Sequence, residues 1–145
     1  MKTFSRYKKH ESGQSLVEFA LVLPILVMLI MGLIEFGWIF NGQITLTSAA
    51  REGARAAVVS EDIGSAADAA TQAVLRHIQV SSVTVDEEDE DAVTVTEGVD
   101  GELLVNVQGS IEPIIRFFVR DTFSLNAEES MRQQFDIDFG EDDAD

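Results

Sequence analysis

Apolar positions along the chain follow three unlike patterns. The first is a block: residues 19–34 read FALVLPILVMLIMGLI without a charge, bracketed by Glu18 and Glu35, and FGWIF at 36–40 prolongs it. From Leu16 to Phe40 is 25 residues, which as a helix covers roughly 37 Å and crosses a hydrocarbon core of about 30 Å with some tilt. Trp38 and Phe40 stand where an aromatic belt would meet the outer headgroups. Pro24 lies in the first third, where neighbouring helices can compensate its missing donor. A cleaved secretory signal would have an apolar region of about 7–15 residues ending at a small-residue site. This run is longer and leads into Asn41-Gly42-Gln43. A buried core helix would need more large apolar residues around it than the remaining chain holds. The block is therefore expected to be a retained span over residues 16–40.

The second pattern is helical. Residues 43–59 continue the first helix, with Ala49, Gly53 and Ala57 at i, i+4 and i+8 and Ala50 and Ala54 beside them. Small residues on one stripe allow a close helix contact; alanine's helix propensity alone is the plainer reading. After a break at 60–64, Ser65-Ala-Ala-Asp68 reads as a capping box with Asp in place of Glu. Ile63, Ala66, Ala67, Ala70, Val74 and Ile78 then share one face of a short amphipathic helix. His77, near that stripe, reads as a satisfied helix-end histidine.

The third pattern has a period of two. Val83 and Val85, Val93 and Val95, Leu103, Val105 and Val107, and Phe123, Leu125 and Ala127 alternate with intervening residues that are polar except for Leu104. Asp100-Gly101 is a turn signal between the second and third of these strands. The segment 111–119, IEPIIRFFV, is too apolar for a solvent loop and is expected either to tuck under the sheet or to form a subunit contact. The predicted class is α+β: a long N-terminal transmembrane helix, then a short amphipathic helix on a small antiparallel sheet. The organisation is a basic leader at 1–13, a helix at 14–59, an exported domain at 60–135 and a disordered acidic tail at 136–145.

Charge orients this arrangement. The net formal charge is −16, yet residues 1–12 carry +3 and no lysine follows Lys9, so the other 133 residues carry −19. A basic head before a span stays in the cytoplasm while the acidic body crosses. So acidic a body excludes a phosphate-binding surface, and no nucleic-acid partner is expected. The acidic run 86–91 between the first two strands lacks the EF-hand spacing and its turn glycine, and reads as a solvated hairpin loop rather than a calcium site. With no cysteine and two histidines, no metal site and no cofactor are expected. No nucleophile elbow, Walker loop, zincin motif or dinucleotide fingerprint occurs. The chain is not expected to be an enzyme.

Glu18 is the residue out of place. A carboxylate inside a span costs roughly 2.5–3.5 kcal/mol on insertion scales and marks function unless it snorkels to the interface. A functional role needs a positive partner at the same depth, and a cut between Gly13 and Gln14 would supply one as a new α-ammonium. Residues 13–24, GQSLVEFALVLP, resemble the N-terminus of the TadE-like family, the minor pilins or pseudopilins of the tight-adherence (Flp pilus) machinery. The likeness continues through GLIEFG at 32–37 and TLTSAAREGAR at 45–55, and is loose from Leu104 to Arg132.

The resemblance implies cleavage after Gly13 by a membrane-embedded prepilin peptidase, leaving Gln14 as the mature N-terminus. It further implies that Glu18, followed by Phe19, serves recognition and assembly by pairing with a neighbouring subunit's terminal amine. The stripe Ala49, Gly53 and Ala57 would serve helix packing. The implied partners are the peptidase, other pilins and pseudopilins of the machinery, and the cytoplasmic membrane, in a homo- or hetero-oligomer with the C-terminal domain outside. The competing reading is a membrane-anchored binding or adhesion module outside any pilus, which would need neither Gly13 nor Glu18.

Overall fold

The computed structural model describes residues 11–60, 62–86, 88–89, 91–98, 101–115 and 121–132. Helix α1 runs Glu11–Ala57, 47 residues, or about 70 Å at 1.5 Å per residue. It begins inside the segment expected to be leader, and its Pro24 lies within the helix. Its two halves meet different surroundings. From Leu16 to Ile34 every large apolar side chain is exposed, and the most apolar stretch contains no buried residue, as befits a candidate membrane anchor. From Gly42 onward the helix gains a buried stripe at Leu46, Ala49, Ala50, Gly53, Ala54 and Ala57, the i, i+3, i+4 spacing of one helical face.

Helix α2, Ile63–Ile78, packs on that stripe through Ala66, Ala70, Ala73, Val74 and Ile78. Its start lies three residues earlier than the expected box. Asp62 is the N-cap: its carboxylate accepts from Ser65 N at 2.8 Å, while Ser65 Oγ answers the Asp62 backbone. Ser65 is thus the third residue of the helix, and Asp68 lies on its exposed side. The apolar face is rotated accordingly, so that Ile63 is half exposed and Ala73 is buried.

Four strands form one antiparallel sheet: β1 Val83–Thr84, β2 Val93–Glu97, β3 Glu102–Ile111 and β4 Phe123–Arg132. β3 is central. β4 pairs with it along its whole length, from Glu102↔Arg132 to Ile111↔Phe123. β1 and β2 share its other edge, β1 against Ser110 and Ile111 and β2 against residues 103–107. The expected hairpin between β1 and β2 is therefore absent. They are successive partners of one strand, and the acidic segment leaves and rejoins that edge, with Gln108 N donating to Ala92 O where it returns. The β2–β3 hairpin does form; Gly101 takes φ +71° at its turn, a region open to glycine and costly for other residues.

Leu103, Val105, Val107 and Ile111 of β3, with Leu125 and Ala127 of β4, face the helices and complete the core. Leu46, Ile111, Val74, Val105 and Val107 are its largest fully enclosed side chains. Among the described residues no polar or charged side chain is buried. The architecture is the expected one, a long apolar helix, a second helix and a small antiparallel sheet.

Candidate functional site

Helix α1 carries chemistry at two levels, one near its start and one where it enters the folded head. At the first level, Gly13, Gln14, Glu18 and Phe19 are all exposed. Nothing lies within 4 Å of the position a Gly13 side chain would take. Gln14 Nε2 reaches Glu18 Oε1 at 3.4 Å, one turn away. Phe19 is 62% exposed. Among the described residues no cation approaches Glu18; the one ion pair there is Arg51–Glu129, at 2.8 Å and far along the chain. Among the described residues this carboxylate on a bare apolar helix has no charge partner.

The second level is at Glu35, about 25 Å farther along the helix. Its carboxylate accepts from two successive backbone donors, Ile114 N at 3.1 Å and Ile115 N at 2.8 Å. One turn on, Trp38 Nε1 donates to Glu112 O at 3.1 Å. Residues 112–115 follow directly from the end of β3, so the strand's exit is turned back and clasped to the helix. Pro113 is buried in this turn and, lacking an N–H, leaves no donor to satisfy. Of segment 111–119, Ile111 ends β3 and residues 112–115 lie on α1, not beneath the sheet; residues 116–119 fall outside the described residues. Beside the clasp, Met28, Met31, Gly32, Phe36, Ile39 and Ile115 line an open groove of about 320 Å³ with Glu35.

Sequence reasoning missed this level. Glu35 read only as the end of the apolar block and Trp38 only as a belt residue, although their i, i+3 spacing puts an acceptor and a donor on one face. Their partners, two amides and a carbonyl 74 to 80 residues away, leave no trace in side-chain identity. Gly42 was missed as well. A side chain there would meet Ile111 Cδ1 at 2.7 Å and Leu125 Cδ1 at 3.3 Å, so the helix touches the sheet closely at the point where it leaves the head.

The stripe Ala49, Gly53 and Ala57 faces inward. At Gly53 an added methyl would lie 2.9 Å from Val74 Cγ2 and 3.4 Å from Ala70 O. The close approach is made to α2 of the same chain, which covers the stripe. Beside it, Arg51 reaches across to Glu129 of β4, and Gln43 Nε2 donates to Asn126 O of the same strand at 2.7 Å. Among the described residues no group of histidines and carboxylates is disposed to hold a metal ion. The acidic excursion closes on itself through short turns, Glu88 N donating to Asp86 and Asp91 N to Asp89.

Comparison with known proteins places a family signature on this helix. The model of the family described as TadE-like protein matches residues 13–55, which begins at Gly13 and ends two residues before α1 does. No curated protein and no solved structure matches the chain. The head's α2 and sheet lie outside the match.

Proposed function

We propose that this chain, whose TadE-like helix spans residues 13–55, is a minor pilin or pseudopilin of the tight-adherence (Flp) pilus machinery. A TadE-like segment implies association with that pilus system. The finer role rests on how the helix is presented. Its first half is bare, apolar and long enough to cross a bilayer, and it carries an exposed carboxylate, Glu18, one turn after Gln14 and without a charge partner among the described residues. That exposed carboxylate is the observation that carries the proposal.

In this reading a prepilin peptidase cuts after Gly13 on the cytoplasmic side. Glycine is the weakest helix former other than proline, so this turn unwinds readily for a protease that needs extended backbone. The cut places an α-ammonium at Gln14, and Glu18 offers its charge to the amine of a neighbouring subunit. Opposite charges attract strongly in a low dielectric, but desolvation offsets much of the gain, so the pair sets register more than it adds stability. The anchored helix holds the α+β head outside the cytoplasmic membrane.

The test is a pair of variants in cells that make the pilus. Gly13→Ala is expected to accumulate full-length precursor in the membrane. Glu18→Ala is expected to insert and be processed, yet to fail in pilus assembly. Normal piliation with Glu18→Ala removes the assembly role and leaves an anchored extracytoplasmic module.

A further inference from the structure

We infer that the Glu112–Ile115 turn is a second membrane contact, seated in the outer leaflet beside α1. The inference rests on α1 spanning the bilayer. With Glu18 near the inner boundary, Glu35 lies about 25 Å along the helix and so within a hydrocarbon core of about 30 Å or at its outer edge. Ile114 and Ile115, bonded to the Glu35 carboxylate at 3.1 and 2.8 Å, are at the same depth. The turn therefore belongs to the exported head by sequence and to the membrane by position.

Irregular backbone is tolerated at that depth only when its polar groups have partners in the protein. Three of the turn's backbone polar groups meet the condition. Pro113 has no donor, the amides of Ile114 and Ile115 are taken by Glu35, and the Glu112 carbonyl is taken by Trp38. The same bonds give the Glu35 carboxylate two donors, which is what a charge near lipid requires. Were the turn in water, neither the amides nor the carboxylate would need the other.

The side chains point to lipid as the occupant. Ile114 is 53% exposed; Phe36 and Phe40 on the adjoining part of α1 are 69% and 57% exposed, their rings stacked at 6.3 Å, and Ile115 lines a groove with Phe36. These exposed apolar side chains follow the exposed apolar residues 16–34 of α1. A chain with net charge −16 is not drawn to an anionic surface, so the contact is apolar insertion of the kind a phosphatidylcholine leaflet accepts. Its consequence is mechanical. A head held at two points at the interface has a fixed tilt, which one flexible helix would not give it.

The absence of cysteine makes the test direct. Single-cysteine variants Ile114→Cys, Val27→Cys and Thr94→Cys of the full chain, each labelled with an environment-sensitive fluorophore, are reconstituted in phosphatidylcholine nanodiscs. They are then quenched either by spin-labelled lipid or by aqueous iodide. The Ile114 probe should lose its fluorescence to lipid spin-labelled near the headgroup and be shielded from iodide, with Val27 deeper and Thr94, on the outer sheet face, quenched from water. With Glu35→Ala added, the Ile114 probe should become iodide-accessible while the Val27 probe is unchanged. An Ile114 probe that behaves like Thr94 while Val27 is quenched by lipid overturns the inference. An Ile114 probe shielded from both quenchers also overturns it, because protein, a second copy of the chain, then covers the turn. A Val27 probe that lipid does not reach overturns the membrane-span reading itself.

Discussion

Replacing Gly53 by alanine presses a methyl group into a contact that cannot yield. The added Cβ would lie 2.9 Å from Val74 Cγ2, 3.4 Å from Ala70 O and 3.5 Å from Val105 Cγ1, and all three residues are fully buried. Val74 is β-branched within a helix, where its χ1 is confined to essentially one rotamer, so it cannot swing aside as the end of a leucine would. Two terms of opposite sign compete. Alanine in place of glycine inside a helix stabilises by about 1 kcal/mol. Overpacking a dense core costs about 1–3 kcal/mol. The steric term dominates, for a net loss of about 0–2 kcal/mol, and each kcal/mol lowers the melting temperature of a domain of this size by roughly 4–8 °C.

A double-mutant cycle isolates the steric part. Val74→Ala removes the obstructing methyl, at about 1–3 kcal/mol of its own for the lost burial and cavity. In that background Gly53→Ala should turn stabilising, with a coupling of about 1–3 kcal/mol between the two sites. The assay is thermal melting of the full chain in detergent, followed by the circular dichroism of the sheet. If Gly53→Ala raises the melting temperature equally in both backgrounds, helix propensity alone governs the position and the close packing of α1 on α2 is refuted.

Three further outcomes follow from single contacts. The Ser65 backbone N–H bonding to the Asp62 carboxylate holds that acid below its ordinary value of 3.8; a group depressed in the folded state lends stability above its unfolded pKa and loses it as pH falls through the folded one. Melting should therefore be flat in this contribution from neutral pH to about 5 and weaken below about 4, and Asp62→Asn, which can still cap, should blunt that acid step. Gly101→Val should destabilise by about 1–2 kcal/mol through backbone strain alone, since φ is +71° and no atom lies within 4 Å of the new Cβ; equal melting of variant and parent would contradict the turn. Arg51→Ala should cost no more than about 1 kcal/mol, because the guanidinium facing Glu129 is 65% exposed; a larger loss by the same melting assay would mean the pair does more than the geometry allows.

What the chain disclosed beforehand tracks how local each signal is. The apolar helix through Leu16 to Phe40, a candidate membrane span, and the alternation of Leu103, Val105 and Val107 depend on neighbours a few positions away, and both the helix and the strand formed as expected. The cap of α2 was displaced because Ser65 fits two roles equally well; only geometry shows that Asp62 accepts and Ser65 answers. The pairing of β1 and β2 with one edge of β3 was illegible, since an acidic run between two strands reads as a hairpin loop whether or not the strands pair with each other. The small-residue stripe was legible as a close contact, but its partner was not, because alanine and glycine accept α2 or a foreign helix alike. The Glu35 clasp was hidden for the strongest reason. Its partners are backbone groups brought there by the fold, and any sequence offers amides.

The proposal that this is a pilin-type subunit turns on one event, the removal of the first thirteen residues. Membranes from cells with an active prepilin peptidase should yield a protein whose N-terminal sequence begins Gln14-Ser15-Leu16-Val17-Glu18. The same protein from cells lacking that peptidase should begin at Met1. A mature chain that starts at Met1 in both strains would contradict the account, since Glu18 would then have no amine four residues ahead of it and its place on a bare apolar helix would be without purpose.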